Sequence, residues 1–513
     1  MPGRIGFDFQ FSQPRARSAS ARSEENPMRI LVMGDFSGRA SRGVENAADL
    51  ASRPIVAVDV DSFEQVLAGF SPVLLLSPGK AAGTDVVIEF RQLDDFHPGR
   101  LYRELDLFQS LRKSRSRLQD PATFAEAAEK LQTDRAQSPR PDQGPATGSK
   151  PTAENDAATL ERLLGRKAAT VASKPVLRAE PAVVDELIRK IVAPHIVPDA
   201  PPHQAQYVAS VDAAIEEQMR VILHDPAFQA LESGWLAIHW LISELEFGEQ
   251  LQLFLLDVTL DELRSDARAA DGNPEQSSLY RLLVEQGTRT PGGEPWSLLA
   301  GNYAFGPDEE NIELLAFLGA IASQAGGPFV AAAESGILGC RSLADTPDPR
   351  EWQPLVPTAE QCWQALRRSS VASWIGLALP RILLRAPYGK RNERVEEFEF
   401  EELPARAAHE HYLWGNPAIA CALLIGRSFL AKGWSMEVGD ERDIGGLPAC
   451  VLDRDGEKEL LACAEAYLSE RAGEAILARG LMPLLSLKNQ NAACLMRFQS
   501  LAEPAQAFAG PWR

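Results

Sequence analysis

The sequence predicts a mixed α/β (α+β) fold in two modules, and three observations lead there. Short aliphatic runs bounded by Gly, Pro or Asp, such as "MRILVMGDFSGR" and "LQLFLLDVTL", read as buried strands. Stretches with apolar residues three and four apart, such as "FEQVLAGF" and "IELLAFLGAIASQAG", read as helices and alternate with the strands. From Thr133 to Asp156, "TDRAQSPRPDQGPATGSKPTAEND" is rich in Pro, Gly, Ser and charge with almost nothing to bury, which is the composition of a linker. The expected organisation is a small α/β module over 1–132, a flexible linker over 133–156 and a larger mixed α/β module over 157–513. A chain of 513 residues exceeds one ordinary core.

In the first module "RIGFDFQF" alternates with period two and reads as a strand, followed by a Ser/Arg-rich piece up to Pro27. "MRILVMG" is a buried strand ending in the turn "DFSGR". "PIVAVDVDSFEQVLAGF" gives a strand and then a helix, capped by Asp61 or Ser62, with Phe63, Val66 and Leu67 on one face. "TDVVIEFRQL" is a further strand. In "LDDFHPGRLYRELDLFQSLRKSRSRL" the spacing of Leu101, Leu105, Phe108 and Leu111 predicts one amphipathic helix with Asp95 as N-cap and Pro98 in its first turn. Arg112, Lys113, Arg115 and Arg117 collect at its C-terminal end, where cations suit the helix dipole.

The larger module opens with helices in "ATLERLLGRK" and "AVVDELIRKIVAPHIV". A long helical stretch follows, from Val208 to Leu245, with Asp225 and Pro226 starting its second half. "LQLFLLDVTL", "PFVAAAES" and "SWIGLALPRILLRAPYG" read as strands. In "VEEFEFEEL", Phe398 and Phe400 alternate with Glu397, Glu399 and Glu401, which predicts a half-buried strand whose acidic face is free to meet a basic element of a partner.

A formal net charge of -19 argues against a nucleic-acid partner. The six cysteines, at 340, 362, 421, 450, 463 and 494, form no C-x-x-C pair and read as buried and reduced. The N-terminus has no apolar signal region and no apolar run is long enough to span a bilayer, so a cytoplasmic protein without direct membrane insertion is expected. "GDFSGR" and "PGGEPW" match neither the P-loop nor the dinucleotide fingerprint, so no cofactor is expected. His409 and His411, beside Glu410, give the one hint of a metal. A third ligand is not in sight, so a metal-dependent or other enzyme on an α/β scaffold is the minor alternative, with no catalytic or metal residue assigned.

Taken in order, "FDFQF", "VMGDFSGR", "VAVDVDSFEQVLAGFSP" and "LDDFHPGRLYRELDLFQSLRKSRSRL" resemble the small sheath subunit of type VI secretion systems (TssB/VipA-like), from about Gly3 to Leu118. "ILHDPAFQALESGWLAIHWLI", "LYRLLVEQGTRTPGGEPWSLLAGNYAFG", "GPFVAAAES", "WIGLALPRILLRAPYGK", "VEEFEFEE" and "YLWGNPAIACALLIGRSF" resemble the large subunit (TssC/VipB-like), from about Ala182 to Leu501. The resemblance implies a fusion of two sheath proteins that normally form an obligate heterodimer, and a mechanical, non-enzymatic role in a contractile sheath. It implies type VI sheath subunits, inner tube or baseplate proteins and the AAA+ sheath-recycling unfoldase as partners. Leu160, Leu163 and Leu164 in "ATLERLLG" are the nearest candidates for the helix the unfoldase grips; a plain packing helix is an equal reading. Arg112 to Arg117 are a candidate contact for an acidic surface of the larger module. The family's large subunit normally continues beyond the segment matched by "LMPLLSLKNQNAACLMRFQSL", so a C-terminally shortened large module is expected. Two readings stay open: a sheath-end or baseplate adaptor that does not self-polymerise, and a divergent sheath subunit.

Overall fold

The computed structural model describes residues 26–44, 47–76, 86–132, 204–403, 408–454 and 457–512. The readings made for 4–11, the 133–156 linker, Leu160, Leu163, Leu164 and "AVVDELIRKIVAPHIV" lie outside the described residues. The chain forms two compact units, one of Met1–Pro78, Asp85–Arg103 and Met219–Arg513, the other of Gly79–Thr84 and Glu104–Gln218.

The first unit is a mixed α/β fold built on a sheet of nine strands among the described residues. Its strands are β1 (Met28–Gly34), β2 (Val56–Val58), β5 (Leu251–Asp257), β6 (Leu298–Phe305), β7 (Phe329–Ala333), β8 (Ile375–Leu379), β11 (Asp443–Ile444), β14 (Met482–Ser486) and β15 (Ala493–Leu495). The spatial order is β11-β15-β14-β8-β7-β6-β1-β5-β2. β1 sits in the interior, parallel to β5 from Met28↔Leu251 to Gly34↔Asp257 and parallel to β6 from Ile30↔Leu298 to Met33↔Gly301. A parallel strand covered on both faces needs a continuous apolar run, which explains Ile30, Leu31, Val32 and Met33, none of them exposed. β2, β11 and β15 pair antiparallel at the two flanks.

Helices cover the sheet. α8 (Glu309–Ala325) packs on β6 and β7 and meets α7 (Leu260–Ala269) and α9 (Pro357–Arg368). α10 (Pro417–Lys432) packs on β6, β7 and β8 and meets α6 (Pro226–Glu244). Both α8 and α10 are apolar nearly all round because each lies in the interior. One core joins Leu31 and Met33 of β1, Phe305 of β6 and Phe329 of β7 to Ile312 and Leu315 of α8 and Trp363 of α9. Local signals set the helix starts. The Asp225 carboxylate accepts from the N–H groups of Ala227 and Phe228 with Pro226 in the first turn, as its sequence predicts. Thr259 and Glu262 form a reciprocal capping box on α7.

Four local expectations need correction. The helix expected from Asp95 to Leu118 is two helices, α2 (Pro98–Glu104) and α3 (Asp106–Gln119), because Leu105 is extended (φ -71, ψ 130). Asp95 does not cap α2. It closes the preceding turn Leu93–Phe96 by accepting from Arg91 and Gln92 N–H. Neither Asp61 nor Ser62 caps α1 (Phe63–Phe70) through its side chain; Asp59 collects the Asp61 and Ser62 N–H groups and the Ser62 hydroxyl instead. "VEEFEFEEL" is not a strand, for its carboxylates take the loop's own backbone: Glu401 accepts from Lys390 N–H and Glu402 from Tyr388 N–H. β3 (Val73–Leu76), not among the expected strands, forms a hairpin with β4 (Val86–Glu89).

The second unit contains α3, α4 (Phe124–Gln132) and the first part of α5 (Gln204–Leu223). Leu107, Phe108, Leu111, Val211 and Ile215 are buried. Phe124 meets Tyr207 edge-on at 5.9 Å, and the Gln204 amide donates to the carbonyls of Leu118 and Gln119.

Candidate assembly interface

Within the first unit, residues 26–103 and 219–512 meet along a seam that begins where β1 ends. After Gly34 the chain turns through Asp35–Arg39, and Asp257, at the end of β5, holds that turn. One carboxylate oxygen accepts from Phe36 N–H (2.8 Å) and Ser37 N–H (3.1 Å), the other from the Ser37 hydroxyl (2.7 Å). Burial pushes the Asp257 carboxyl up, and these hydrogen bonds oppose it. Trp235 of α6 donates its indole N–H to the Phe36 carbonyl at 2.9 Å, and the rings of Phe36, Phe63 and Phe70 gather around it. Gly38 lies at φ +70, and a Cβ there would stand 2.5 Å from the Val73 carbonyl oxygen. "GDFSGR" is thus a docking turn whose Phe36 and Ser37 N–H groups are spent on Asp257, while its Arg39 N–H goes to Asp35.

Two arginines of the N-terminal part converge on Glu262. Arg53 makes a bidentate pair at 2.9 and 2.9 Å, and Arg39 adds a contact at 2.8 Å. Burial works to raise this carboxyl, but hydrogen bonds from Arg53 and Thr259 N–H and the charges of Arg53 and Arg39 outweigh it and hold it at about 2. At the start of β1, the Arg29 guanidinium lies over the Trp296 and Phe254 rings at 4.2 and 4.8 Å and donates to the Glu294 carbonyl.

The third contact joins α2 to the loop after β9 (Ile382–Leu383). Tyr102 stacks on Phe398 at 4.5 Å, Arg103 reaches Glu397 at 3.3 Å, and His97 meets the Tyr388 ring edge-on at 5.0 Å. Beneath it lies a buried triad. Arg385 binds Glu232 (2.6 and 3.3 Å) and Glu402 (2.7 and 3.1 Å), with its guanidinium over the Tyr388 ring. Burial would lower the Arg385 pKa, yet the two carboxylates outweigh it and raise it above its ordinary value. Two buried carboxylates on one arginine fix a loop that has no regular backbone pairing of its own.

The residues singled out from sequence fall as follows. Glu397 belongs to the seam through Arg103; Glu399 is exposed and 3.6 Å from Lys390; Glu401 accepts from Lys390 N–H. Arg112, Lys113, Arg115 and Arg117 lie in the second unit, where Arg115 binds Asp212 at 2.5 Å and Lys113 and Arg117 are exposed. His409 pairs with Glu465 at 3.1 Å and stacks on Trp414; His411 stacks on His224 with centroids 4.1 Å apart. Among the described residues no group of three His, Cys, Asp or Glu side chains is placed to hold a metal, and no helix is long and apolar enough to cross a membrane. All six cysteines are free thiols, Cys494 half-buried and the others buried. Sequence reasoning missed Asp257, Glu262, Trp235 and the Arg385 triad. Only Glu262 carried a local signal, as the last residue of the "TLDE" capping box.

Comparison with known proteins agrees with this division. Residues 205–502 match the family described as the EvpB tail sheath N-terminal domain (VipB), and residues 13–135 match the type VI secretion system VipA family. Over 307 residues the chain is 35% identical to the type VI secretion system sheath protein TssC1 of Pseudomonas aeruginosa, an alignment covering 58% of this chain and 61% of that protein. The chain thus spans about three-fifths of the length of that relative. β1 lies in the VipA-matched part, and its neighbours β5 and β6 lie in the VipB-matched part.

Proposed function

The chain belongs to the type VI secretion tail-sheath family, and from that premise we propose that it is a non-enzymatic sheath unit with small- and large-subunit parts on one chain, serving as a sheath-end or baseplate adaptor. The observation that carries the unit reading is β1 seated between β5 and β6. Joining the two parts covalently turns a bimolecular pairing into an intramolecular one at high effective concentration.

The adaptor role is supported by the edges of the sheet. β2 is three residues long, preceded by Pro54 and followed by Asp59 and Asp61; β11 is two residues long and runs into Gly445 and Gly446. Short edges flanked by proline, acid or glycine offer little template for a neighbour's strand, which suits a unit that docks rather than extends a lattice by strand addition there. The partners this reading implies are type VI sheath subunits, inner tube or baseplate proteins in the cytoplasm, and the recycling unfoldase through Leu160, Leu163 and Leu164. An enzyme reading gains no support from "GDFSGR" or His409: Asp257 takes the Phe36 and Ser37 N–H groups, and His409 Nε2 is paired with Glu465.

Negative-stain electron microscopy of the protein alone and mixed with a sheath-forming pair tests the proposal. Particles that stay small alone and decorate only sheath ends support it. Long striated tubules from the protein alone overturn the adaptor role in favour of a self-sufficient subunit.

A further inference from the structure

The last turn of α9, the C-terminal end of α11 (Glu470–Ala478) and the segment Glu503–Ala505 border a recess of about 550 Å³ in the first unit. We propose that this recess binds a carboxylate, held by the buried guanidinium of Arg367 and by Arg497 at the rim.

The first support is a buried charge with no counter-ion. Arg367 lines the recess and is only 6% exposed. Its Nε donates to the Leu501 carbonyl at 3.1 Å and its Nη1 to the Ala478 carbonyl at 3.2 Å. A guanidinium carries five N–H groups, and the others, those of Nη2 included, have no partner among the described residues. Charged side chains are rarely buried unless paired. Arg53 binds Glu262, and Arg385 binds Glu232 and Glu402, but Arg367 forms no ion pair among the described residues. The end of α11 offsets about half a charge and leaves the rest. Burial pushes the Arg367 pKa down against the pull of Glu503, and Arg479 and Arg368 add to the fall.

The second support is the balance of charge around the recess. Arg367, Arg368 and Arg497 line it together with Glu474 and Glu503. Glu503 lies 3.7 Å from Arg368, while Arg497 is exposed and forms no ion pair among the described residues. The lining side chains therefore carry one positive charge in excess, on a chain whose net charge is -19. A carboxylate supplies one negative charge and two oxygens that match a guanidinium fork. A phosphate dianion would bring a second charge beside Glu474 and Glu503.

The third support is that the guanidinium is held in place. Gly480 (φ +85) lies against it, and an added Cβ there would stand 3.0 Å from the Arg367 Nε. Arg367 could swing towards Glu503 only by giving up both carbonyl bonds. A fixed donor fork binds an anion without first being ordered.

Thermal melts of the full chain test this, with sodium acetate, sodium phosphate or the capped peptide Ac-Gly-Glu-Gly-NH2 replacing chloride at constant ionic strength. A ligand of the folded state raises the melting temperature. Acetate and the peptide are expected to do so saturably, with a midpoint concentration about tenfold higher in Arg497→Ala and unchanged in the control Arg341→Ala. Arg367→Gln should abolish the response; if that variant does not fold, Arg497→Ala decides. Equal midpoints for acetate and peptide support a site for free carboxylates, and a much lower one for the peptide supports a site for an acidic side chain of a partner. No saturable rise, or the same midpoint in Arg497→Ala as in the unaltered chain, would overturn the proposal. A lower midpoint for phosphate than for acetate would overturn the carboxylate assignment.

Discussion

The indole N–H of Trp235 donates to the main-chain carbonyl of Phe36 at 2.9 Å, while the two rings meet edge-on with centroids 5.4 Å apart. One side chain from α6 thereby fixes both the backbone and the ring of the turn that follows β1. Trp235→Phe keeps most of the packing and strands the Phe36 carbonyl, at a cost of about 1–3 kcal/mol. Trp235→Ala also opens a cavity and costs about 3–5 kcal/mol. Chemical denaturation of both variants should give this order; a Trp235→Phe loss near zero would show that the hydrogen bond contributes nothing, and equal losses that the ring packing adds nothing.

Asp257 separates hydrogen bonding from charge at the same turn. Asp257→Asn keeps the oxygen that accepts from Phe36 and Ser37 N–H, and the new amide can donate to the Ser37 hydroxyl, so the expected loss is below about 1 kcal/mol. Asp257→Ala leaves three donors unmet and should cost about 3 kcal/mol or more. Thermal melts of the pair measure the difference, and a drop for Asn as large as for Ala would contradict it.

Two glycines in one loop make a paired test of the docking turn. Gly38 (φ +70) has the Val73 carbonyl 2.5 Å from any added Cβ, and Val73 N–H donates to the Ser37 carbonyl, so neither segment can retreat cheaply. Gly43 (φ +61) faces open space. Gly43→Ala should cost only the left-handed backbone term, about 1 kcal/mol, whereas Gly38→Ala should cost at least about twice that. Equal shifts in the unfolding midpoint would remove the close approach from the account.

Acid should weaken the fold in two steps. Burial, with the nearby His411 and Arg385 outweighing Glu402, pushes His224 from its usual 6.5 down to about 4. A depressed folded pKa means that its contribution is whole above pH 6.5 and is lost as pH falls through 4. Glu262, held at about 2 against a usual 4.5, contributes fully above pH 4.5 and loses that contribution as pH falls through 2. Denaturation midpoints should therefore decline from pH 6.5 downward. His224→Gln should flatten the upper part of the decline and Glu262→Gln the lower part. Unchanged profiles in both variants would count against the assignment.

Removing Arg385 leaves Glu232 and Glu402 buried and facing each other. Arg385→Ala should cost about 3–5 kcal/mol, and Arg385→Lys should recover only part because an ammonium cannot fork to two carboxylates. Full recovery by lysine, read from the melting temperature, would reduce the triad to simple charge balance.

Legibility in the sequence followed the range of each interaction. β1, β5, β7, α8 and the Asp225 cap of α6 were readable because each depends on residues within a few positions. The break at Leu105 was not, because the leucine spacing continues across it while the backbone does not. "VEEFEFEEL" misled for the opposite reason: its period of two is real, but Glu402 is drawn to Arg385 and the segment joins no sheet among the described residues. The seam was invisible residue by residue, since Phe36 with Asp257 and Arg53 with Glu262 join positions more than 200 apart. What the sequence could offer there was resemblance, which names partners without giving the contacts.

The most direct test of the central claim, that β1 is an interior strand joining the two parts into one fold, is to supply the chain as fragments 1–150 and 151–513. Without β1, β5 and β6 would be left with an empty strand position between them. The account predicts that co-expressed fragments purify as a one-to-one complex melting close to the intact protein, and that 151–513 alone is insoluble or lacks that transition. A folded, monomeric 151–513 with the melting transition of the intact chain would contradict it.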